Sequence, residues 1–421
     1  MSKYSRRSFV GLMAASTTAL AMPNLAFGAI PRVVVIGGGA GGATAARYLA
    51  KDSKGAIDVT LVEASKRYYT CFFSNLYLGG VRNYGSIGHN YYGLAVNHGV
   101  NMVHEWATSV NGGEKKVYLG NGNTLSYDKL VISPGIDLKY DSIEGYSAQV
   151  QSKVPHAWKS GTQVQLLKSQ VRNMKKGGTF LMVAPPNPYR CPPGPYERIS
   201  MIAHQFKKTN PTAKIVILDP KNKFSKMGVF MEGWQMHYPG MIEWVNADTH
   251  GGIKNINVAK MEFETDLDTF KADAATVIPA QKAGAIAMSA GVNKGDWCPI
   301  VPSSMQSQAD ENIYVLGDAS VAKSMPKSGF SANSQAKVAA NHIRGALTGS
   351  KVFPARYSNT CWSMVATDHG IKVGASYKSG TEKIEKTSGF VSKKGESSEI
   401  RKATFEESLG WYSGITSDMF S

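Results

Sequence analysis

The chain has 421 residues, 43% of them hydrophobic and 47 of them Lys or Arg, with a formal net charge of +16. That length and apolar content supply two or three ordinary cores and exclude a disordered or fibrous chain. The basic residues are scattered, with no run interleaved with aromatics, which excludes the patterns of a nucleic-acid binder and leaves a basic face suited to an acidic protein partner.

At the N-terminus, Ser5-Arg6-Arg7-Ser8-Phe9-Val10 is a twin-arginine pattern, followed by an apolar stretch from Val10 to Met22 and a small-residue site near Ala26-Phe27-Gly28. The pattern predicts a cleaved signal peptide over 1–28 and export to the periplasm by the twin-arginine route. The apolar stretch is shorter than the roughly 20 residues that cross a bilayer, and no other stretch is apolar enough, so no transmembrane segment is expected.

Next, Arg32-Val33-Val34-Val35-Ile36 has the β-branched apolar character of a buried strand and runs into Gly37-Gly38-Gly39-Ala40-Gly41-Gly42 and an Ala-rich helix. A second strand, Asp58 to Val62, ends in Glu63, at about the 20-residue distance that a dinucleotide-binding unit requires. The expected roles follow from backbone physics. Gly37 makes the turn, Gly39 lets the backbone approach a pyrophosphate at the helix N-terminus, Gly42 permits close helix-to-strand packing, and Glu63 accepts from a ribose hydroxyl.

A second α/β unit follows. Gly178 to Ala184 is a strand, and Ala213 to Asp219 is its parallel neighbour after a helix that begins near Tyr196. Where a pyridine-nucleotide site needs a glycine loop, this strand opens into Pro185-Pro186-Asn187-Pro188-Tyr189-Arg190-Cys191-Pro192-Pro193-Gly194-Pro195. Prolines lack the N–H groups that cradle a pyrophosphate and crowd its approach, so this unit is expected to have lost NAD(P) and to hold Cys191 rigidly. From about Ser350 the chain is expected to form a third, interface-type domain with a polar, hairpin-like region rich in Lys and Gly.

There are four cysteines, Cys71, Cys191, Cys298 and Cys361. An oxidising compartment permits any of three complete pairings among them. None lies in a Cys-x-x-Cys or Cys-x-x-Cys-His arrangement, so neither zinc nor covalent haem is expected on this chain, and no metal site is predicted.

Two further stretches resemble the glutathione-reductase-like flavoproteins. Tyr127 to Gly135 is similar to the segment that returns from an inserted β-meander to the FAD site. Glu311 to Ala319 is similar to the second flavin-binding motif, whose aspartate binds the ribityl chain. The resemblance implies FAD, with Ser133, Gly135 and Asp318 in its site; taken alone, each stretch is a strand ending in a turn.

Three cysteine stretches carry a narrower resemblance. Tyr68-Tyr69-Thr70-Cys71-Phe72-Phe73-Ser74-Asn75, Cys191-Pro192-Pro193-Gly194-Pro195-Tyr196-Glu197-Arg198 and Asn359-Thr360-Cys361-Trp362 resemble the flavin subunit of flavocytochrome c sulfide dehydrogenase, over nearly the whole chain from Pro31 to about Ser421. The resemblance implies an 8α-thioether from Cys71 to FAD and a redox disulfide of Cys191 with Cys361 above the isoalloxazine. It also implies a proton-handling role for Glu197, sulfide as substrate, and electrons passed to a c-type cytochrome subunit that alone carries haem. The implied fold is α/β, with two Rossmann-like domains of the glutathione-reductase-like type. The FAD-binding domain is split between 29–145 and 272–348, a degenerate nucleotide-binding domain occupies 146–271, and an interface domain occupies 349–421.

The residues also admit plainer roles. A Cys191–Cys361 bond closes a long loop and could serve only as a staple, but Cys191 sits in a Pro-rich turn where a cofactor loop should be, which favours redox chemistry. Glu197 also suits a helix-start carboxylate, and Cys71 a small buried hydrophobe. Cys298 is expected to be structural, and Trp411 to pack or to approach the flavin. A membrane-associated sulfide:quinone oxidoreductase shares the cysteine and flavin logic, but the polar stretch from Thr387 to Glu399 lacks the apolar element that reading wants. The remaining alternative is an exported, non-enzymatic binding module on a flavoprotein fold.

Overall fold

The computed structural model describes residues 29–421, and the export signal predicted over 1–28 lies outside the described residues. The apolar run Val33 to Ile36 is buried along the strand Arg32–Ile36. Burial on both faces suits the middle of a parallel sheet. It is the third of five parallel strands, in the order Ile313–Val315, Lys129–Ile132, Arg32–Ile36, Asp58–Val62, Asn101–Val103. The helix Gly42–Ser53 leaves the first strand and packs against the long helix Gly329–Thr348. An antiparallel meander from Ala107 to Ser126 interrupts the sheet, and Lys129–Ile132 brings the chain back, as the sequence indicates.

The second unit forms four parallel strands in the order Ile242–Val245, Lys214–Leu218, Thr179–Val183, Ala274–Val277. Its helix Gly194–Thr209 starts two residues before the predicted Tyr196 and turns Tyr196, Ile199, Ile202 and Phe206 into the core. The elements from Pro31 to Ser421 make one compact unit.

The C-terminal stretch has the expected hairpin, His369–Ser379 with Ile384–Val391, and adds to it. Arg356–Ala366, His369–Ser379 and Ile384–Val391 form a three-stranded antiparallel sheet, followed by an unforeseen helix, Ser398–Phe420. The helix starts at Ser397, whose side chain accepts from the Ile400 N–H. Near its end Asp418 accepts from Tyr48 Oη at 3.0 Å and pairs with Lys337 and Arg47, which fastens the helix to the first unit. Among the described residues no helix is long and apolar enough to cross a membrane, and no cluster of His, Cys, Asp and Glu could hold a metal.

Candidate active site

Two cavities meet at one wall. The larger has an empty volume of about 1500 Å³, and Gly37, Gly39, Glu63, Ser133, Gly135 and Asp318 line it. Gly37 has φ +97°, and a Cβ there would lie 2.4 Å from the Ser133 carbonyl oxygen, so both its conformation and its surroundings require glycine. Gly42 stands behind the wall, where a Cβ would come within 1.8 Å of the Gly37 oxygen; this is the close packing expected of it. Glu63 Oε2 accepts from the Gly38 N–H at 2.8 Å and Oε1 from the Ser65 N–H at 2.9 Å, which fixes the carboxylate at the end of its strand.

These residues fit a dinucleotide. The glycines leave space where side chains would block a pyrophosphate. Asp318, on the turn after Ile313–Val315, has one buried oxygen, Oδ1, with no hydrogen-bond partner. An unpaired buried acceptor is costly, and the hydroxyls of a ribityl chain would satisfy it. Burial raises the Asp318 pKa, against the opposing pull of Arg190 and Lys327. Gly37, Gly39, Glu63 and Asp318 thus line a cavity that a dinucleotide such as FAD would fit.

The smaller cavity, with an empty volume of about 790 Å³, is lined by Cys71, Cys191, Glu197 and Cys361. Cys71, Phe72, Arg190, Ser328 and Gly329 line both cavities, so the cavity of the cysteines and the cavity of the predicted dinucleotide residues share a wall. Cys71 lies in the turn after the strand Arg67–Tyr69, where its carbonyl accepts from Ser74 Oγ at 2.6 Å. Cys191 has φ +56°, a left-handed conformation that a non-glycine residue holds only where its surroundings enforce it. Its N–H donates to the Lys327 oxygen at 2.8 Å, and its own oxygen accepts from Gly194 N–H at 2.8 Å. Glycine is needed at 194 because a Cβ would sit 2.9 Å from Cys191 Sγ and 2.8 Å from the Trp158 ring. Cys361 comes from the strand Arg356–Ala366 of the C-terminal sheet.

The two thiols are free and share this cavity, so the disulfide that the resemblance implies is not formed in this structure. Burial raises the pKa of each. For Cys191 the neighbouring Cys361 and Glu197 add to the rise; for Cys361, hydrogen bonding by Asn359 and Ser328 opposes it. Glu197, in the first turn of Gly194–Thr209, accepts from Met364 N–H on Oε1 at 2.9 Å and from Asn75 Nδ2 on Oε2 at 2.8 Å. Burial nonetheless raises its pKa above the ordinary glutamate value, against the hydrogen bonds from Asn75 and Met364.

The structure thus brings Cys71, Cys191, Cys361 and Glu197 to one cavity and places it against the predicted dinucleotide residues. Cys298 is fully buried elsewhere, with its pKa raised to about 11 by burial, as suits a structural thiol. Sequence reasoning missed Arg190, whose guanidinium lies 3.8 Å from Asp318 Oδ2 and donates to the Trp158 carbonyl. It also missed Lys226 and the aromatic wall. Trp411, Trp362, Phe330 and Phe72 line the smaller cavity, with Trp362 and Trp411 stacked at 5.3 Å. Of these only Trp411 carried a sequence signal, its place near the C-terminus.

Asp219, at the end of Lys214–Leu218, occupies the position that Glu63 holds in the first unit. Its carboxylate is taken up by Tyr196 Oη at 2.6 Å, Trp244 Nε1 at 2.9 Å and Lys221 Nζ at 2.6 Å. The carboxylate at the end of this strand is thus already engaged by the chain's own side chains.

Comparison with known proteins gives three family matches. Residues 164–279 match the model described as sulfide dehydrogenase [flavocytochrome c] flavoprotein chain, central. Residues 354–420 match flavocytochrome c sulphide dehydrogenase, flavin-binding. Residues 31–175 match pyridine nucleotide-disulphide oxidoreductase. The sulfide dehydrogenase flavoprotein chain of Chlorobaculum thiosulfatiphilum is 57% identical over 44 residues, 10% of this chain and 90% of that relative. The mitochondrial sulfide:quinone oxidoreductase of Mus musculus is 27% identical over 187 residues, 44% of this chain and 41% of that protein. The chain spans about two fifths of the length of the mitochondrial relatives it matches. The structure of sulfide:quinone oxidoreductase from Aquifex aeolicus is similar with a TM-score of 0.67 at 16% identity, covering 92% of each chain. That of an NAD-dependent persulfide reductase from A. fulgidus reaches 0.62 at 17% identity, covering 89% of this chain and 77% of that one. The structural matches show the fold, an α/β pyridine nucleotide-disulphide oxidoreductase fold with Rossmann-like domains. The resemblance carried by the three cysteine stretches is borne out by the two flavocytochrome c matches.

Proposed function

We propose that this chain, a flavin-dependent oxidoreductase whose central and flavin-binding regions match the flavocytochrome c sulfide dehydrogenase flavoprotein chain, oxidises sulfide at Cys191 and Cys361. In this reading FAD is the electron acceptor, and a separate c-type cytochrome subunit carrying the haem is the destination of the electrons. The observation that carries it is the meeting of Cys191, Cys361 and Glu197 in one cavity whose wall, at Cys71 and Arg190, is also that of the dinucleotide cavity.

In its oxidised form the pair is a disulfide. Hydrosulfide attacks one sulfur; an S–S bond forms to the incoming sulfur as the bond between the cysteines breaks, leaving a persulfide on one residue and a thiolate on the other. Glu197, held by Asn75 and Met364 with its pKa raised, takes the proton of H2S or of the thiol. Arg190 and the partly buried aromatics Phe72, Trp362 and Trp411 limit the access of water to the reacting sulfurs. FAD, when bound, supplies a two-electron acceptor, and a thioether from Cys71, which lines both cavities, would hold it in place.

The reading includes the glutathione-reductase-like arrangement, with the FAD domain split around the degenerate domain and 349–421 as the interface domain. It also includes export to the periplasm, supported by Arg6 and Arg7. Replacing both by Lys should leave the protein in the cytoplasmic fraction; unchanged export would remove that part. The net charge of +16 suits an acidic cytochrome face.

A second reading, sulfide:quinone oxidoreductase, is favoured by the likeness to the Mus musculus and Aquifex aeolicus proteins. The holoprotein mixed anaerobically with sulfide separates the two. Reduction of an added c-type cytochrome with little reduction of a short-chain quinone supports the cytochrome reading, and the reverse preference supports quinone.

A further inference from the structure

Lys226 sits between the strand Lys214–Leu218 and the helix Met227–His237, with a left-handed φ of 63° and only 8% of its surface exposed. Its ammonium donates to the Cys361 oxygen at 3.0 Å, to Ser363 Oγ at 2.8 Å and to the Ile371 oxygen at 3.3 Å. Three acceptors occupy its three N–H bonds, so it hands no proton to sulfur. Among the described residues no carboxylate pairs with it. A buried cation without a counter-ion is costly. The groups that favour its charge are Cys361 first, then Glu197 and Cys191.

We propose that Lys226 is a positioning residue that makes the two sulfurs unequal, gathering negative charge on Cys361 so that hydrosulfide attacks Cys191 and leaves its sulfur there. The inference rests on the reading of Cys191 and Cys361 as a redox pair, and it names which of the two carries the substrate's sulfur. The step balances as a thiol–disulfide exchange. The bond between the two Sγ atoms breaks, a bond forms between the incoming sulfur and Cys191 Sγ, and the negative charge of hydrosulfide passes to Cys361 Sγ. No outside oxidant enters this step.

The sulfur expelled is the one better stabilised as a thiolate, because exchange is faster through the better leaving group. The side-chain hydrogen bonds placed to hold that charge go to Cys361. Asn359 Nδ2 lies 3.5 Å from its Sγ, Ser328 adds hydrogen bonding, and Lys226 holds the carbonyl of the same residue. Glu197, from the helix Gly194–Thr209, and Tyr377, from the neighbouring strand, are the other titratable groups around it. For Cys191, burial, Cys361, Glu197 and Cys71 all disfavour a thiolate, and Lys226 opposes them with the smallest effect; the Arg190 and Arg198 guanidiniums also feel its charge. Burial lowers the Lys226 ammonium to about 8, so the bias is present at neutral pH and fades on the alkaline side.

The test uses the full-length holoprotein, oxidised with diamide, treated anaerobically with sodium sulfide, alkylated with iodoacetamide and digested for mass spectrometry. The expected result is one extra sulfur on the Cys191 peptide in about tenfold or greater excess over the Cys361 peptide, the factor that follows from a leaving-group difference of a few pKa units. K226M should bring the ratio towards unity, and K226R should keep it. Extra sulfur mainly on the Cys361 peptide of the wild type overturns the proposal without any variant, so a K226M chain that fails to fold does not shield it. A folded K226M with the wild-type ratio overturns it too. If diamide forms no Cys191–Cys361 link and neither peptide gains sulfur, the reading of the pair itself fails, a different outcome. An independent measurement follows the pH dependence of Cys361 alkylation in C191S. K226M should raise the midpoint by about one unit, the usual effect of losing one nearby opposite charge, with K226R restoring it. An unmoved midpoint sinks the proposal.

Discussion

Replacing Glu197 with Gln tests the acid–base part of the account, because the structure fixes both what is lost and what is disturbed. Both carboxylate oxygens accept from donors, Met364 N–H and Asn75 Nδ2. Glutamine offers one acceptor and one donor, so its NH2 must face a donor. Met364 N–H is backbone and cannot turn. Asn75 could flip its amide, but its Nδ2 also donates to the Gly194 oxygen at 3.1 Å, and that bond would be lost. One buried hydrogen bond therefore goes unmade in either arrangement, at a cost of about 1–3 kcal/mol in stability. Loss of the base itself should slow sulfide-dependent bleaching of the flavin by about 10²- to 10⁴-fold. The pH profile separates the two effects. The folded-state pKa of Glu197 is raised by burial, so the wild type loses stability as pH climbs from the ordinary glutamate range through the raised value, and E197Q removes that slope. The wild-type rate should fall on the acid side at a pH above the ordinary glutamate range, and this limb should vanish in E197Q. Stopped-flow absorbance under anaerobic conditions and thermal unfolding across pH measure both. A folded E197Q that bleaches within about threefold of the wild type, well short of the loss of a catalytic base, would refute the assignment.

Three other outcomes follow from the same geometry. G42A forces a Cβ to 1.8 Å from the Gly37 oxygen; the protein should purify with FAD occupancy reduced severalfold and stability lower by about 1–3 kcal/mol, read by the ratio of flavin to protein absorbance and by thermal unfolding. In the acid-denatured wild type, mass spectrometry should find the FAD mass on the peptide bearing Cys71, and C71A should release its flavin freely; free flavin from the wild type would remove the thioether. W411A opens the wall that Trp411 shares with Trp362 and Phe330. It should admit bulkier thiols as reductants of the flavin while costing less than the roughly 3–5 kcal/mol of a fully buried tryptophan, since Trp411 is only partly buried. An unchanged preference for sulfide over such thiols would show that the wall does not select substrate.

The dinucleotide unit was legible in the sequence because its requirements are local. The strand Arg32–Ile36, the glycines to Gly42 and Glu63 form one continuous stretch, and backbone physics ties each position to its role. Cys191 was legible for the same reason, since Pro-rich sequence stands where glycine is needed. Lys226 was not, because nothing near it in sequence distinguishes it from the other basic residues, and Arg190, although next to Cys191, has no pattern that shows its charge turning inward towards Asp318. The helix Ser398–Phe420 was hidden because the buried face of its first half is polar, and only its second half buries apolar residues, Tyr412, Ile415, Met419 and Phe420. Arg401, Thr404 and Ser408 are buried while Ile400 and Leu409 are exposed, and Gly410 and Gly414 lower its intrinsic propensity. Tertiary contacts at Asp418 and Tyr412 override the local pattern.

The central claim is tested most directly by anaerobic titration of the flavin-loaded protein with sulfide in C191S, C361S and C298S. Bleaching of the visible flavin band should proceed in the wild type and in C298S and be slowed by at least about 10³-fold in each of the other two, as for removal of a nucleophile. Bleaching at the wild-type rate in C191S or C361S would contradict the account.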